Sequence, residues 1–237
     1  MYYKIISQRF PKFKNGYVMK NILVILVITF IISGSLAASN ITGGFKTGIN
    51  ISSLYGGIDS DNSSRRGFYT GGYVNYRLNR FISLQPEFLV ASKGKEDVRQ
   101  YIGGHYKQSL IIYYAEFPLL GKFMILDHGS LKYNLLFGPF VSRFFGGSSN
   151  IPLDEFTLDS EEKYLLNGKI NSTDYGLIFG AQMDIYVLHH ENWIISFDIR
   201  HTLGLNSINA SGDNDSWLVD RKNRTNSAMI SLGYNFN

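Results

Sequence analysis

From about residue 43 onward, apolar and polar residues alternate with a period of two. No other feature restricts the fold as much. Successive side chains on a strand point to opposite faces, so this alternation builds a sheet with one apolar and one polar face. Eight segments carry it. "GGFKTGINIS" sets Phe45, Thr47, Ile49 and Ile51 on one face, and "GFYTGGYVNYRL" sets Phe68, Val74, Tyr76 and Leu78 against Tyr69, Tyr73, Asn75 and Arg77. "FISLQPEFLVA" alternates Ile82, Leu84, Pro86, Phe88 and Val90 with Ser83, Gln85, Glu87, Leu89 and Ala91. The fourth segment starts near Leu110 and contains "YYAEFPLLGKF"; the fifth and sixth are "LKYNLLFGPFVS" and "DYGLIFGAQMDIYV". "WIISFDIRHT" and "NSAMISLGYNF" complete the set, and no amphipathic helix of comparable length competes.

The connections alternate in length. Asn79–Arg80, "DHGS" and "LHHEN" are short. "SSLYGGIDSDNSSRR", "SKGKEDVRQYIGGHYKQ", Phe144 to Thr173 and "LNSINASGDNDSWLVDRKNRT" are long. An even number of strands of about ten residues, with long loops at one end, fits a bacterial outer-membrane barrel. A soluble up-and-down barrel has the same alternation but turns its apolar face inward. Here the apolar face is large and aromatic, while the other carries Gly, Ser, Asn, Gln and scattered charges. Phe68, Tyr76, Phe81, Trp193, Tyr234 and Phe236 fall near strand ends, as interfacial girdles require. The expectation is an all-β fold: an eight-stranded antiparallel up-and-down transmembrane barrel over residues 43–237, in the outer membrane. Its long loops would lie outside the cell, with the short turns and both termini in the periplasm.

The first 37 residues read as an export signal. Residues 1–21 hold Lys4, Arg9, Lys12, Lys14 and Lys20 and no acid; "ILVILVITFII" follows, then "SGSLAAS" with Ser35 and Ala37 at −3 and −1 of a cleavage site. The apolar run of 11 residues is short of the about 20 that a membrane helix needs. "MKNILVI" from Met19 has the form of a signal start in its own right. The whole chain carries 23 Lys+Arg and 19 Asp+Glu; removing the five signal cations leaves 18 against 19. The basic pI of about 9.1 thus belongs mostly to the signal, and a nucleic-acid partner loses its main support. There is no cysteine, hence no disulfide framework and no thiolate metal site.

"YYAEFPLLGKF", "YNLLFGPFVS", "YGLIFGAQMDI", "FDIRHTLGLNSI" and "ISLGYNF", in this order and spacing, resemble the PorT-like outer-membrane β-barrel family of Bacteroidota. The resemblance covers about Gly43 to Asn237. It implies an eight-stranded barrel, exported by the general pathway and inserted by the outer-membrane assembly machinery. Some relatives of that family are linked to type IX secretion and gliding. Where such barrels usually end in an aromatic, Phe236 is penultimate here.

In a barrel with its polar face inward, Lys46, Arg77, Glu87, Glu116, Lys122, Asp184, Asp198 and Arg200 all enter the lumen. Buried charges must pair, so a salt-bridge network is expected, with Glu116 and Arg200 central to it. Its bland role is to plug the barrel; the sharper alternative is a narrow path for protons or small ions. Pro86, Pro118 and Pro139 fall inside strands, where a missing N–H requires a bulge or a place at the rim. Acidic residues cluster in the loops at Asp59 and Asp61, from Asp154 to Glu162, and at Asp213 and Asp215, and they read as solvated loop charge. His189 and His190 are adjacent, so they point apart, and no third ligand is evident. No metal, cofactor or catalytic residue is assigned, and no nucleotide or metalloprotease motif occurs. The functional expectation is a non-enzymatic outer-membrane barrel, in contact with membrane lipid, that engages a protein partner. Contact would run through its extracellular loops, Asn150 to Thr173 first, or through its periplasmic rim. The alternatives are a narrow channel or transport component and, last, a lipid-modifying barrel enzyme.

Overall fold

The computed structural model describes residues 40–56, 64–101, 104–149, 164–165, 170–187, 192–209 and 220–236. The export segment 1–37, the loop acidic clusters, His189 and His190 lie outside these residues, as does most of Asn150 to Thr173. Among the described residues nine strands form: β1 (Ile41–Tyr55), β2 (Ser64–Arg77), β3 (Ile82–Tyr101), β4 (Gly104–His128), β5 (Leu131–Ser149), β6 (Tyr164–Leu165), β7 (Thr173–Tyr186), β8 (Trp193–Gly204) and β9 (Lys222–Phe236). All pairings are antiparallel, in the order β4-β3-β2-β1-β9-β8-β7-β5, and β4 also pairs with β5. The sheet therefore closes on itself as an eight-stranded barrel. β6 adds only two rungs, Ser148↔Leu165 and Ser149↔Tyr164, at the end of β5.

Closure fixes which face goes where. On β4, Tyr114, Glu116, Leu120 and Lys122 are buried, while Phe117, Leu119 and Phe123 are exposed. The same division holds around the barrel: Ile49 is 70 % exposed and Ile199 64 %, whereas Lys46 is 1 % exposed. In water such an exterior would be strongly unfavourable, since isolated soluble proteins do not show continuous apolar belts of this extent. Aromatic residues cluster at both ends of the belt. Trp193 packs edge-on against Tyr234 at 5.2 Å and Tyr234 against Phe236 at 5.4 Å near the short turns. Tyr113 stacks with Phe145 at 6.1 Å toward the long loops.

Two sequence expectations about the strands change. The stretch "SKGKEDVRQYIGGHYKQ", expected to be a loop, is strand on both sides, paired from Ser92↔Tyr113 to Tyr101↔Gly104. Each arm supplies the other's hydrogen-bonding partner, so the ladder propagates beyond the point where apolar alternation stops. The prolines use neither a bulge nor the rim. Each removes two rungs from one ladder: Pro86 from β2–β3, Pro118 from β3–β4 and Pro139 from β4–β5. Pairing resumes in the same register on the far side of each gap. The missing N–H thus costs a local interruption on one side while the strand stays paired on the other.

Candidate functional site

The charged side chains of the polar face meet inside the barrel in three groups along its axis. At mid-height β1 supplies Lys46, β3 Glu87, and β8 Asp198 and Arg200. Lys46 Nζ lies 2.8 Å from Glu87 Oε1 and 3.0 Å from Asp198 Oδ2. Arg200 grips Glu87 with both terminal nitrogens, at 2.6 and 2.8 Å, and Asp198 at 2.9 Å. Gln85 Nε2 donates a further bond to Glu87 at 2.7 Å. All of these side chains are at most 5 % exposed. Two cations against two carboxylates, joined by a bidentate fork, is the arrangement that makes burial of charge tolerable.

Toward the long loops, Lys93 pairs with Glu116, both fully enclosed. Three rings surround the ammonium, Phe140 at 5.1 Å, Tyr114 at 5.6 Å and Tyr69 at 5.8 Å from their centroids. Asp174 accepts from Asn223 Nδ2 at 2.8 Å nearby. Beyond them an apolar group packs across this end of the interior: Leu54, Leu110, Ile112, Tyr114, Ile170 and Ile208. Ile170 and Ile208 come from loop segments held by a bridge between Ile170 and Asn209 and by the bond from Asn171 N to Ile208 O, 2.7 Å.

Toward the short turns, Lys122 Nζ meets Asp184 Oδ2 at 2.6 Å. Asp184 also accepts from Gln182 and Ser196 at 2.7 Å each and from Asn134 at 3.0 Å. Arg77 is half-buried at the mouth, beside Tyr186. Glu116 and Arg200 do not meet; they anchor different groups. Lys93 and Asp174 are additional members. Lys93 continues the parity of Gln85, Glu87, Leu89 and Ala91, and Asp174 stands on the polar face of β7 with Asp184. Ile170 and Ile208 carry no periodic signal in the sequence. Among the described residues no cluster of histidine or carboxylate groups is arranged to hold a metal ion.

A closed antiparallel barrel with an apolar belt outside and paired charges inside is an integral outer-membrane barrel. The chain belongs to the outer membrane protein beta-barrel domain family, whose model matches residues 36–210. No curated protein matches the chain in sequence. Among solved structures it is similar to Neisserial surface protein A, with 11% identity over 83% of this chain and 97% of that one, at a TM-score of 0.48. It is similar to Ail, the attachment invasion locus protein of Yersinia pestis, at 12% identity, 82% and 98% coverage and a TM-score of 0.41. The outer membrane protease OmpT from Escherichia coli matches at 13% identity, 84% and 97% coverage and a TM-score of 0.39. The expectation of a non-enzymatic protein is corrected by that last match: a protease stands among the similar barrels, so an outer-membrane barrel fold does not exclude catalysis. At these identities and scores the likeness assigns no activity to this chain either.

Proposed function

We propose that this barrel works through its two ends, as a membrane-anchored docking protein whose interior is a structural plug. The observation that supports this is the filled interior. An eight-stranded barrel is only wide enough for side chains to fill it. Here ion pairs occupy the short-turn end and the middle, and Leu54, Leu110, Ile112, Ile170 and Ile208 occupy the long-loop end. The long loops face outside the cell and the short turns the periplasm, the usual sidedness of such barrels. β3 and β4 run 20 and 25 residues, where about 9–11 suffice to cross a bilayer. Their hairpin beyond Glu96 and Ser109 adds five paired residues per arm, about 17 Å of paired ribbon at about 3.4 Å per residue. Partner contact runs through this hairpin, through Asn150 to Thr173, or through the periplasmic rim. The assembly machinery of the outer membrane inserts the barrel, and the likeness of its strands to the PorT-like family makes secretion components the first partners to test.

The test combines conductance with cross-linking. Purified barrel in planar bilayers should show no ion-conducting steps, and Arg200→Met should lose heat stability without gaining conductance. Photo-cross-linkers in the hairpin and at the periplasmic turns should capture the same protein reproducibly in cells. Discrete conductance in the wild type would replace the docking reading with the narrow-channel one.

A further inference from the structure

The short-turn mouth of the barrel holds a recess, with the Lys122–Asp184 pair of the plug in its wall. Its eleven lining residues include Asn75, Arg77, Arg80, Lys122, Lys132 and Asp184, around a free volume of about 30 Å³. That is the scale of a carboxylate or of one or two waters, not of a metabolite. Four of the eleven are cations. Asp184, the one acid among the described lining residues, is already engaged by Lys122, Gln182, Ser196 and Asn134. Asp127 faces Lys132 across the β4–β5 ladder, but at the exposed rim. Arg77, Arg80 and Lys132 therefore give the opening an excess of positive charge over a low-dielectric wall, which concentrates field on an incoming anion. Two of them are pre-positioned on rings: Lys132 lies 4.5 Å from the Tyr186 centroid and Arg80 5.6 Å from that of Phe81.

We infer that this recess captures a carboxylate from an acidic segment of a periplasmic partner. The inference rests on the docking reading and specifies its periplasmic side. A protein segment fits better than a lipid headgroup because the recess opens at the end of the barrel and its walls, β2, β3, β4, β5 and β7, separate it from the bilayer. Arginine takes a carboxylate with two parallel bonds, and binding of this kind weakens with salt.

The test uses the full barrel in micelles of neutral detergent, with fluorescein-labelled hexaglutamate as probe and hexaglutamine as control. Anisotropy should show hexaglutamate binding, at least tenfold weaker in Arg77→Gln/Lys132→Gln and in 0.5 M salt, with hexaglutamine inactive. Arg80→Glu, in the exposed β2–β3 turn, is a second variant with the same expected loss. Unchanged affinity in a folded variant, or no binding by the wild type at low salt, overturns the inference. So does loss of co-purified phosphatidylglycerol in the variants with no effect on the peptide, because the recess would then be a lipid site. If the peptide fails while cross-linkers in the β3–β4 hairpin still capture a partner, the docking reading stands and only the carboxylate site falls.

Discussion

Glu87 shows how much of this barrel depends on single atoms. Its two oxygens accept from Lys46, Gln85 and both terminal nitrogens of Arg200. Arg200→Met leaves Glu87 and Asp198 to share Lys46 alone, and breaking a buried pair from one side costs about 3–5 kcal/mol. The expected result is a fall of that size in unfolding free energy, measured by urea titration of the micelle-bound barrel. Adding Glu87→Gln to Arg200→Met should cost less than the sum of the two single changes, because the unpaired carboxylate is gone. Additive losses would mean that the two residues are not energetically coupled. The alternation alone places Lys46, Glu87, Asp198 and Arg200 on the polar face. Their partners are not legible in it, because pairing across the lumen depends on which strands stand opposite each other. Glu87 and Arg200 are 113 positions apart. Lys93 was hidden for another reason: the apolar half of the alternation ends at Ala91, so "SKGKED" reads as the start of a loop even though Lys93 keeps the parity of the polar face.

At the level of the element, Gly94 on β3 holds a φ of +140°, which L side chains rarely adopt; its N–H donates to Ser52 Oγ, and Ser52 Oγ donates to its carbonyl, each at 2.9 Å. Gly94→Ala would strain the backbone by about 1–3 kcal/mol and would drive its Cβ into the Leu110 carbonyl. The expected outcome is a destabilised barrel with faster amide exchange along Ser92–Ser109. Gly129, in the β4–β5 turn at φ +65°, has nothing near its Cβ position. Gly129→Asn should therefore leave the urea midpoint within about 0.5 kcal/mol, since asparagine tolerates this conformation. Equal effects at the two glycines would refute a backbone requirement for glycine at Gly94. The hairpin itself was unreadable as strand, because both of its sides leave the membrane and lose the apolar half of the pattern. The two-rung gaps at Pro86, Pro118 and Pro139 also lay beyond the sequence, which shows where an N–H is missing but not which neighbour does without it.

On the scale of the whole molecule, the outside is as informative as the inside. Trp193 sits at one edge of the apolar belt, 40 % exposed and packed on Tyr234. The chain has two tryptophans, so Trp217→Phe leaves Trp193 alone. Its emission should be quenched more by lipids brominated near the carbonyl end of the acyl chain than by those brominated at the terminus. The reverse order would place that edge in the middle of the bilayer. The folded barrel should also run faster on a gel before boiling than after, and absence of that shift would argue against a closed, detergent-resistant cylinder. The β1–β9 seam adds a constraint in time. β1 pairs with β9 over its whole length, from Ile41↔Phe236 to Tyr55↔Lys222. The first strand to emerge during synthesis must therefore wait for the last before either has its second neighbour. The loop closed by this seam is almost the entire barrel sequence, which makes it the slowest contact to find at random. Until it forms, two unpaired edges stay open to any strand that comes past. A barrel of this design is thus most exposed to aggregation in its final step.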